Sequence, residues 1–508
     1  MQRNSGVKGR CMLDKYIKTK TFTYVYSSLL FVYALFFISF GWKEYDFYWA
    51  RIEANDTMYL GIQGLVLIIS VMLALSSRLS DAMLPAMVLA VLSTSCYNSA
   101  DKFLSLNFLW VAPFAVTAFV FHFIKYRKPF KIGRSFWGLC AISVALIFGG
   151  IGTISASDYF SGTSLFYVLG LGIGMVLFYL LVKSQMGEEE KQSVARVMYL
   201  SGMLAACSVF LVWIQNWDVS IGAGKILHTQ FCNNLSTFMM MSLPFVLFYP
   251  SRKKRFFDFL SFAFMYAALL CSSSRAGLIL GTVEAFCLLF VYCFIYKKGR
   301  AAILPRILFV TVPLLACSLV WKFLPELLHM LRLTNATDAS RVEILKNLFA
   351  SFFDSGDSRI GLFRRMIRDV KSNPIFGAGL GNTGNTDLYN PVKGAMVWYH
   401  MWLPQIVGSL GLVGIAAYGY QLVARVRIYL KNPGFVNRTF FLSYLGLLLM
   451  SQVNPGEFCP VPYAMLAVTC FVLIESPEDD IPIGDLFKRK KITNDMQKSF
   501  DAQSKTAQ

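Results

Sequence analysis

The chain has 508 residues, 56% of them hydrophobic and only 15% charged, with a mean hydropathy of +0.53. A soluble domain carries about 25% charged residues, so an ordinary globular enzyme is excluded and an all-α polytopic integral membrane protein is expected. The net charge of +19 sits in short basic runs between apolar stretches with no soluble recognition module, which fits sorting at an anionic membrane surface and argues against nucleic acid as a partner.

Taken in order, residues 1–21 carry Arg3, Lys8, Arg10, Lys15, Lys18 and Lys20 ahead of an apolar run that reaches about Phe40. That run ends in FISFGW without a small-residue cleavage site, so it predicts a cytoplasmic tail and a retained first transmembrane helix. Apolar windows lie at about 22–41, 57–76, 82–97, 103–123, 135–153, 163–183, 196–215, 232–250, 256–272, 276–296, 302–322, 400–424, 438–453 and 460–475. Most approach the roughly 20 residues that cross about 30 Å of hydrocarbon, giving about fourteen spans. They divide the chain into a bundle of about eleven helices over 22–322, a loop over 323–399, a bundle of about three helices over 400–475, and a tail over 476–508.

Charge alternates along this order. KYRKPFKIGR follows the fourth window, SRKKR the eighth, KKGR the tenth and ARVRIYLK the twelfth, whereas 153–162 and 454–459 hold no Lys or Arg. The positive-inside rule then predicts cytoplasmic N- and C-termini and an extracytoplasmic 323–399 loop.

Within the spans, cysteines such as Cys140, Cys207, Cys287 and Cys470 stand singly in apolar runs without a CxxC pair, as small apolar filler does. The Gly170, Gly172, Gly174 cluster predicts close helix packing. His122 is expected to pack or hydrogen-bond inside the fourth helix. Glu284 follows Arg275 by nine residues, roughly 13 Å along a helix. A carboxylate at that depth is a functional candidate or a neutral, hydrogen-bonded packing residue.

The 323–399 loop escapes the positive-inside rule through its length, and it holds Arg332, Arg341, Arg359, Arg364, Arg365 and Arg368. Ser340-Arg-Val-Glu343 has capping-box spacing ahead of Leu345, Leu348, Phe349 and Phe352. A second helix is predicted from about Ser358-Arg359, with an apolar stripe of Ile360, Phe363, Ile367 and Val370, Arg364 and Arg368 on its polar face, and Asn373-Pro374 as its stop. Two readings stand: helices lying at the interface with Arg toward lipid phosphates, or an Arg cluster for a phosphate-bearing substrate. Gly377-Ala-Gly379-Leu-Gly381 follows no strand, so a dinucleotide site is not indicated. A turn back to the membrane and an anion-lining backbone are its two readings. His400 then opens the next apolar segment.

Five motifs thus follow one another. His228-Thr with Asn233-Asn234 opens the eighth helix, and Ser274-Arg275-Ala-Gly277 opens the tenth. Arg359 precedes the Pro of Asn373-Pro-Ile-Phe-Gly-Ala-Gly379 by fifteen residues, and His400 is followed by Leu403, Gln405, Gly411 and Gly414. Over about residues 230–430 this order resembles the O-antigen ligase and polymerase superfamily of bacterial envelope glycan assembly. The resemblance implies a C-type glycosyltransferase of the bacterial cytoplasmic membrane. Such an enzyme takes a glycan from an undecaprenyl pyrophosphate carrier and passes it, on the outer side, to a hydroxyl of a glycan, lipid or cell-wall acceptor. It implies Arg275 and Arg359 at the pyrophosphate and His400 as base; Arg341 and Arg364 are further phosphate candidates, and His228, Glu284 and Glu457 further site candidates. Met401 departs from the family, which often has Asn or Ser there.

The residue chemistry agrees with that implication. Arg binds a diphosphate bidentately and stays charged, and neutralising the leaving pyrophosphate stabilises charge that grows in the transition state. A neutral His takes the proton of an attacking hydroxyl. No acidic pair in the loop has metal-ligand spacing, so transfer without metal or cofactor is expected. Polymerase and ligase use the same donor chemistry and are not distinguished. The alternative is a lipid-linked oligosaccharide flippase or other transporter, against which the halves show no internal repeat.

Overall fold

Inside hydrocarbon a backbone must satisfy its own hydrogen bonds, so apolar stretches of this length fold as helices. The computed structural model describes residues 16–17, 19–41, 56–94, 110–215, 229–248, 255–272, 274–296, 303, 306–307, 309–311, 359–380, 399, 401–453, 456–458 and 461–485. In chain order it runs α1 (Lys20–Phe40), α2 (Asp56–Leu75), α3 (Leu79–Thr94), α4 (Ala112–Lys125), β1 (Lys131–Ile132) and α5 (Arg134–Phe148). Next comes α6, made of Gly162–Tyr167, a π-helical stretch Val168–Ile173 and Gly174–Gln185. Then follow α7 (Glu188–Gln215), α8 (Thr229–Phe248), α9 (Arg255–Cys271), and α10 (Arg275–Phe290), which continues as the π-helical Val291–Tyr296. The last elements are α11 (Arg359–Ser372), α12 (Trp402–Lys431), α13 (Phe435–Ser451), α14 (Val461–Ile474) and β2 (Ile481–Pro482).

Among the described residues the chain is therefore a helical membrane protein apart from one pair of two-residue strands. Among the described residues, six helices are long and apolar enough to cross a membrane, and seven more are apolar helices of 10–17 residues. A helix occupies every predicted window except 302–322, which lies largely outside the described residues, as does 323–358 with its predicted Ser340 capping box. Large apolar side chains stay on the outward surface, as at Val32 (63% exposed), Phe36 (52%) and Phe286 (49%). A soluble fold has no use for such a surface.

The core forms around α8. From Met239 to Val246 every residue whose exposure is given is fully buried, Ser242 included, because α7, α9, α10 and α13 pack around it. A helix apolar on all sides belongs in such a place. On the flank, α5 lies along α12 and α6 lies along α14; Gly172 of α6 comes against Ser143 of α5, the close approach its glycines predicted.

Polar contacts tie the two ends of the bundle. At one end β1 pairs antiparallel with β2, Lys131 opposite Pro482. Beside them Lys183 bridges Glu475 (3.1 Å) and Asp480 (2.7 Å), while Glu475 accepts from Ser135 N (2.7 Å) and from Tyr179 OH (2.8 Å). Ser80 bonds Glu190 at the same end, and Arg78 pairs with Asp81 at 2.8 Å. At the other end Gly150 N donates to Phe376 O (2.8 Å), and Tyr463 OH donates to Asn234 O (2.6 Å). Each contact joins segments that the Lys/Arg alternation places on a common side. His122 bonds the Leu73 carbonyl through Nδ1 at 2.8 Å, the packing role expected of it.

Two expectations are corrected. ARVRIYLK is not a loop: it forms the last turns of α12, and Arg425 is buried within the bundle. Glu457, a site candidate, forms an ion pair with that Arg425. α11 does span Arg359–Ser372 and stops before Pro374, but its inward face is Leu362 and Met366, while Phe363 and Ile367 point outward at 48% and 39% exposure. The reason is Tyr399, which packs on Met366 and turns the helix by part of a turn relative to its apolar stripe.

Candidate functional site

Two hydrogen-bonded knots gather the motifs. In the first, Ser274 caps α10 in extended conformation: its Oγ accepts from Gly277 N (3.0 Å) and donates to Asn233 Oδ1 at the start of α8 (2.7 Å). A capping hydroxyl satisfies one of the open amides of a first helical turn. Ser236 and Ser272 share a further bond of 2.8 Å below it. Gly277 is required there, because a Cβ would stand 2.6 Å from Ser236 Oγ. Arg275 is the first residue of α10, where the helix dipole favours an anion; its side chain lies outside the described set.

The second knot is made by the backbone of 373–379. α12 is broken at Gly411 (φ 59°, ψ −148°), and the Asn-Pro-Ile-Phe-Gly-Ala-Gly segment fills the break. Leu412 N and Val413 N donate to Pro374 O (2.9 Å) and Ile375 O (3.1 Å), while Ala378 N and Gly379 N donate to Gly408 O (2.8 Å) and Ser409 O (2.9 Å). Groups that a broken helix leaves open are thereby satisfied. Gly377 (φ 67°) and Gly379 (φ 85°) turn the segment through conformations that favour glycine. Gly411 itself has no room for a side chain: a Cβ would lie 2.6 Å from Pro374 O. The described part of the glycine run, 377–379, is thus a turn docked into a helix break, and its amides are used on protein carbonyls. Asn373 Nδ2 closes the knot on Ile151 O and Thr153 Oγ1, both at 2.8 Å.

The residue before His400 is fixed. Tyr399 is fully buried, its OH donates to Asp369 of α11, and its N donates to Gln405 Oε1 at 3.0 Å. Gln405 Nε2 in turn reaches Ser409 Oγ at 3.1 Å. Burial first, and the Asp369 carboxylate second, push the Tyr399 phenol up from its ordinary value, so it stays a neutral donor. Arg365, at 3.7 Å from Asp369 Oδ2, adds a half-buried guanidinium. Met401 is the extended N-cap of α12, and Pro404 falls in the first turn, where its missing N–H is not needed.

The predicted site residues divide as follows. His400, His228 and Arg341 lie outside the described residues. Arg359 opens α11, with its side chain outside the described set. Arg364 is exposed on α11. Glu284 is buried on α10, and neither carboxylate oxygen has a hydrogen-bond partner among the described residues. Glu457 is buried in the turn 456–458, where Arg425 Nη1 donates to it and to Tyr444 OH (2.8 Å). Sequence reasoning missed Arg425, Tyr399 and Asp369. Only Tyr399 carried a signal, its place directly before the lone His of the loop.

These contacts define a polytopic helical membrane protein with two hydrogen-bonded knots of motif residues at one end of the bundle. No protein-family model matches the chain, and no curated protein matches it significantly.

Proposed function

We propose that the protein is a glycosyltransferase with about fourteen spans and cytoplasmic termini, embedded in the bacterial cytoplasmic membrane. It moves a glycan from an undecaprenyl pyrophosphate-linked donor to an acceptor hydroxyl on the outer side, as an O-antigen ligase or polymerase does. One observation carries the reading. Motifs far apart in sequence condense into two knots at one end of the bundle, Ser274 on Asn233 and 374–379 on the Gly411 break. The first leads directly into Arg275, and the second, through Gln405 and Tyr399, fixes the residue before His400. In this proposal Arg275 and Arg359 grip the pyrophosphate, with Arg341 and Arg364 as further phosphate contacts. His400 takes the proton of the acceptor hydroxyl as that oxygen attacks the anomeric carbon and the pyrophosphate leaves.

The test is transfer by the purified, lipid-reconstituted protein from a carrier-linked oligosaccharide to an acceptor. His400→Ala should lower the rate by about 10²–10⁴-fold, as loss of a general base does, and Arg275→Ala should raise the donor concentration needed for half-maximal transfer and slow the step in which pyrophosphate leaves. Undiminished transfer by both variants would end the reading. Translocation of the lipid-linked glycan is the second reading, favoured by the burial of Arg425 and Glu457 inside the bundle, since ionisable groups there often mark transport pathways. It predicts that His400→Ala leaves transfer nil in all samples and changes only lipid crossing.

A further inference from the structure

Glu284 stands apart from both knots. It lies on α10, faces α8 and α13, and is only 7% exposed. Its carboxylate rests against Gly446 of α13: a Cβ on that glycine would stand 2.5 Å from Glu284 Oε1 and 3.0 Å from the carbonyl oxygen of Met240 on α8. The two oxygens are therefore at most about 5.5 Å apart, the greatest separation that distances of 2.5 and 3.0 Å from one shared point allow.

The Met240 carbonyl lacks its usual helical donor for a reason written in the sequence. A helical carbonyl bonds to the N–H four residues on, and four residues after Met240 stands Pro244, inside α8, which has no N–H. The neighbouring carbonyl, Met241 O, is already supplied by Ser443 Oγ at 2.6 Å. Two acceptors thus face one small space, and among the described residues no donor reaches either carboxylate oxygen. Charged groups on the packed elements are remote. α8 carries none, α13 has Arg438 eight residues before Gly446, about 12 Å along the helix, and α9 has Arg255 and Asp258 in its first turn. Of the phenols, Tyr266 of α9 bonds Thr282 (3.0 Å) and Tyr444 of α13 bonds Arg425 (2.8 Å). Two acceptors without a donor between them need a proton or a cation.

We propose that Glu284 is a proton-binding site inside the helix bundle, holding a proton that it donates to the Met240 carbonyl, which Pro244 deprives of its helical donor. The assignment rests on no part of the glycan-transfer reading. Gly446 is the residue that admits the acid, and Pro244 is the residue that makes its acceptor. One proton thereby joins α8, α10 and α13, and its departure would set a bare carboxylate against a carbonyl dipole among three packed helices.

Infrared spectroscopy of the reconstituted full-length protein at neutral pH tests this. The wild type should show the carbonyl stretch of a protonated carboxylic acid, shifted in D₂O and missing from Glu284→Gln. Pro244→Ala returns an N–H to Met240 and should move that band toward the frequency of a free acid. Glu284→Asp, which keeps an acid but shortens it, should retain a displaced band and covers the case in which the amide variant does not fold. A band that survives in Glu284→Gln, or none in the wild type, overturns the assignment. A band abolished by sodium or lithium ions also overturns it, in favour of a cation site. Thermal unfolding gives an independent reading: Glu284→Gln, whose amide still donates to Met240 O, should melt close to wild type and above Glu284→Ala. Equal loss in both would contradict the hydrogen bond.

Discussion

The Arg425–Glu457 pair yields the sharpest test of how this bundle is held. Both side chains are almost wholly buried, at 4% and 6% exposure. Arg425 Nη1 is shared between Glu457 and Tyr444 OH, while Tyr444 OH lies 3.4 Å from the second carboxylate oxygen. Removing one partner of a buried ion pair leaves the other charge uncompensated, which costs about 3–5 kcal/mol. The guanidinium keeps some support, because it lies 4.7 Å from the Tyr444 ring and 5.1 Å from that of Phe471, and such contacts contribute about 0.5–2 kcal/mol. Glu457→Gln is therefore expected near the low end, about 3 kcal/mol, and Arg425→Met, which strands the carboxylate, near the high end. The double variant Arg425→Met/Glu457→Leu removes both desolvated charges and should be more stable than either single variant. Thermal unfolding in detergent, followed for the four proteins of this cycle, measures the coupling. Single variants that melt with the wild type, or a double variant as unstable as the two losses added, would refute the reasoning.

Ser274→Ala removes both the α10 cap and the bond to Asn233; a loss of about 1–2 kcal/mol is expected, read as a lower melting point and faster hydrogen exchange at the Gly277 amide. Gly411→Ala forces a side chain into a positive-φ position 2.6 Å from Pro374 O, so the folded yield should collapse. Gly419→Ala on the same helix meets nothing within 4 Å and should be stabilising by about 0.5–1 kcal/mol, seen as a raised melting point. Tyr399→Phe removes the bond to the Asp369 carboxylate, worth about 1.5–3 kcal/mol for a charged acceptor. Its mark is increased exchange over residues 362–370 with the other helices unaffected.

Much of the fold is legible in the sequence because hydrocarbon imposes a length and an apolar composition on each span. The windows at 22–41, 57–76 and 196–215 find helices at Lys20–Phe40, Asp56–Leu75 and Glu188–Gln215 for that reason. What hydropathy does not encode is where a polar residue finds its partner. Arg425 and Arg427 read alike, as a basic run at a helix end, but only Arg425 faces a turn that carries Glu457 back into the bundle. The α11 stripe fails similarly: Phe363 and Leu362 are equally apolar, and the burial of Tyr399 selects Leu362 and Met366 as the inner face. Of the candidate site, the glycines of 377–379 are legible as a turn. Their docking into a break at Gly411 is not, since a glycine inside a long apolar helix signals close packing as readily as a kink.

The turn at 456–458 decides how the two knots communicate. Its Gly456 packs beside α8, where an added Cβ would stand 3.4 Å from the Thr237 side chain, and Thr237 Oγ1 bonds Asn233 O at 2.8 Å in the first knot. Phe458 stacks on Tyr167 of α6, with ring centroids 5.8 Å apart, and lies 6.4 Å from Tyr418 of α12. Between them Glu457 grips Arg425 of α12, the helix whose broken start carries the second knot. Three consecutive residues thus touch α8, α12 and α6, and the ion pair pulls the turn inward against the desolvation that opposes it. Loosening the pair should then disturb both knots together. In Glu457→Gln, hydrogen exchange should rise at the Gly277 amide and also at Ala378 and Gly379, although neither segment touches residue 457. Faster exchange confined to the turn itself would show that the pair anchors a loop and nothing more.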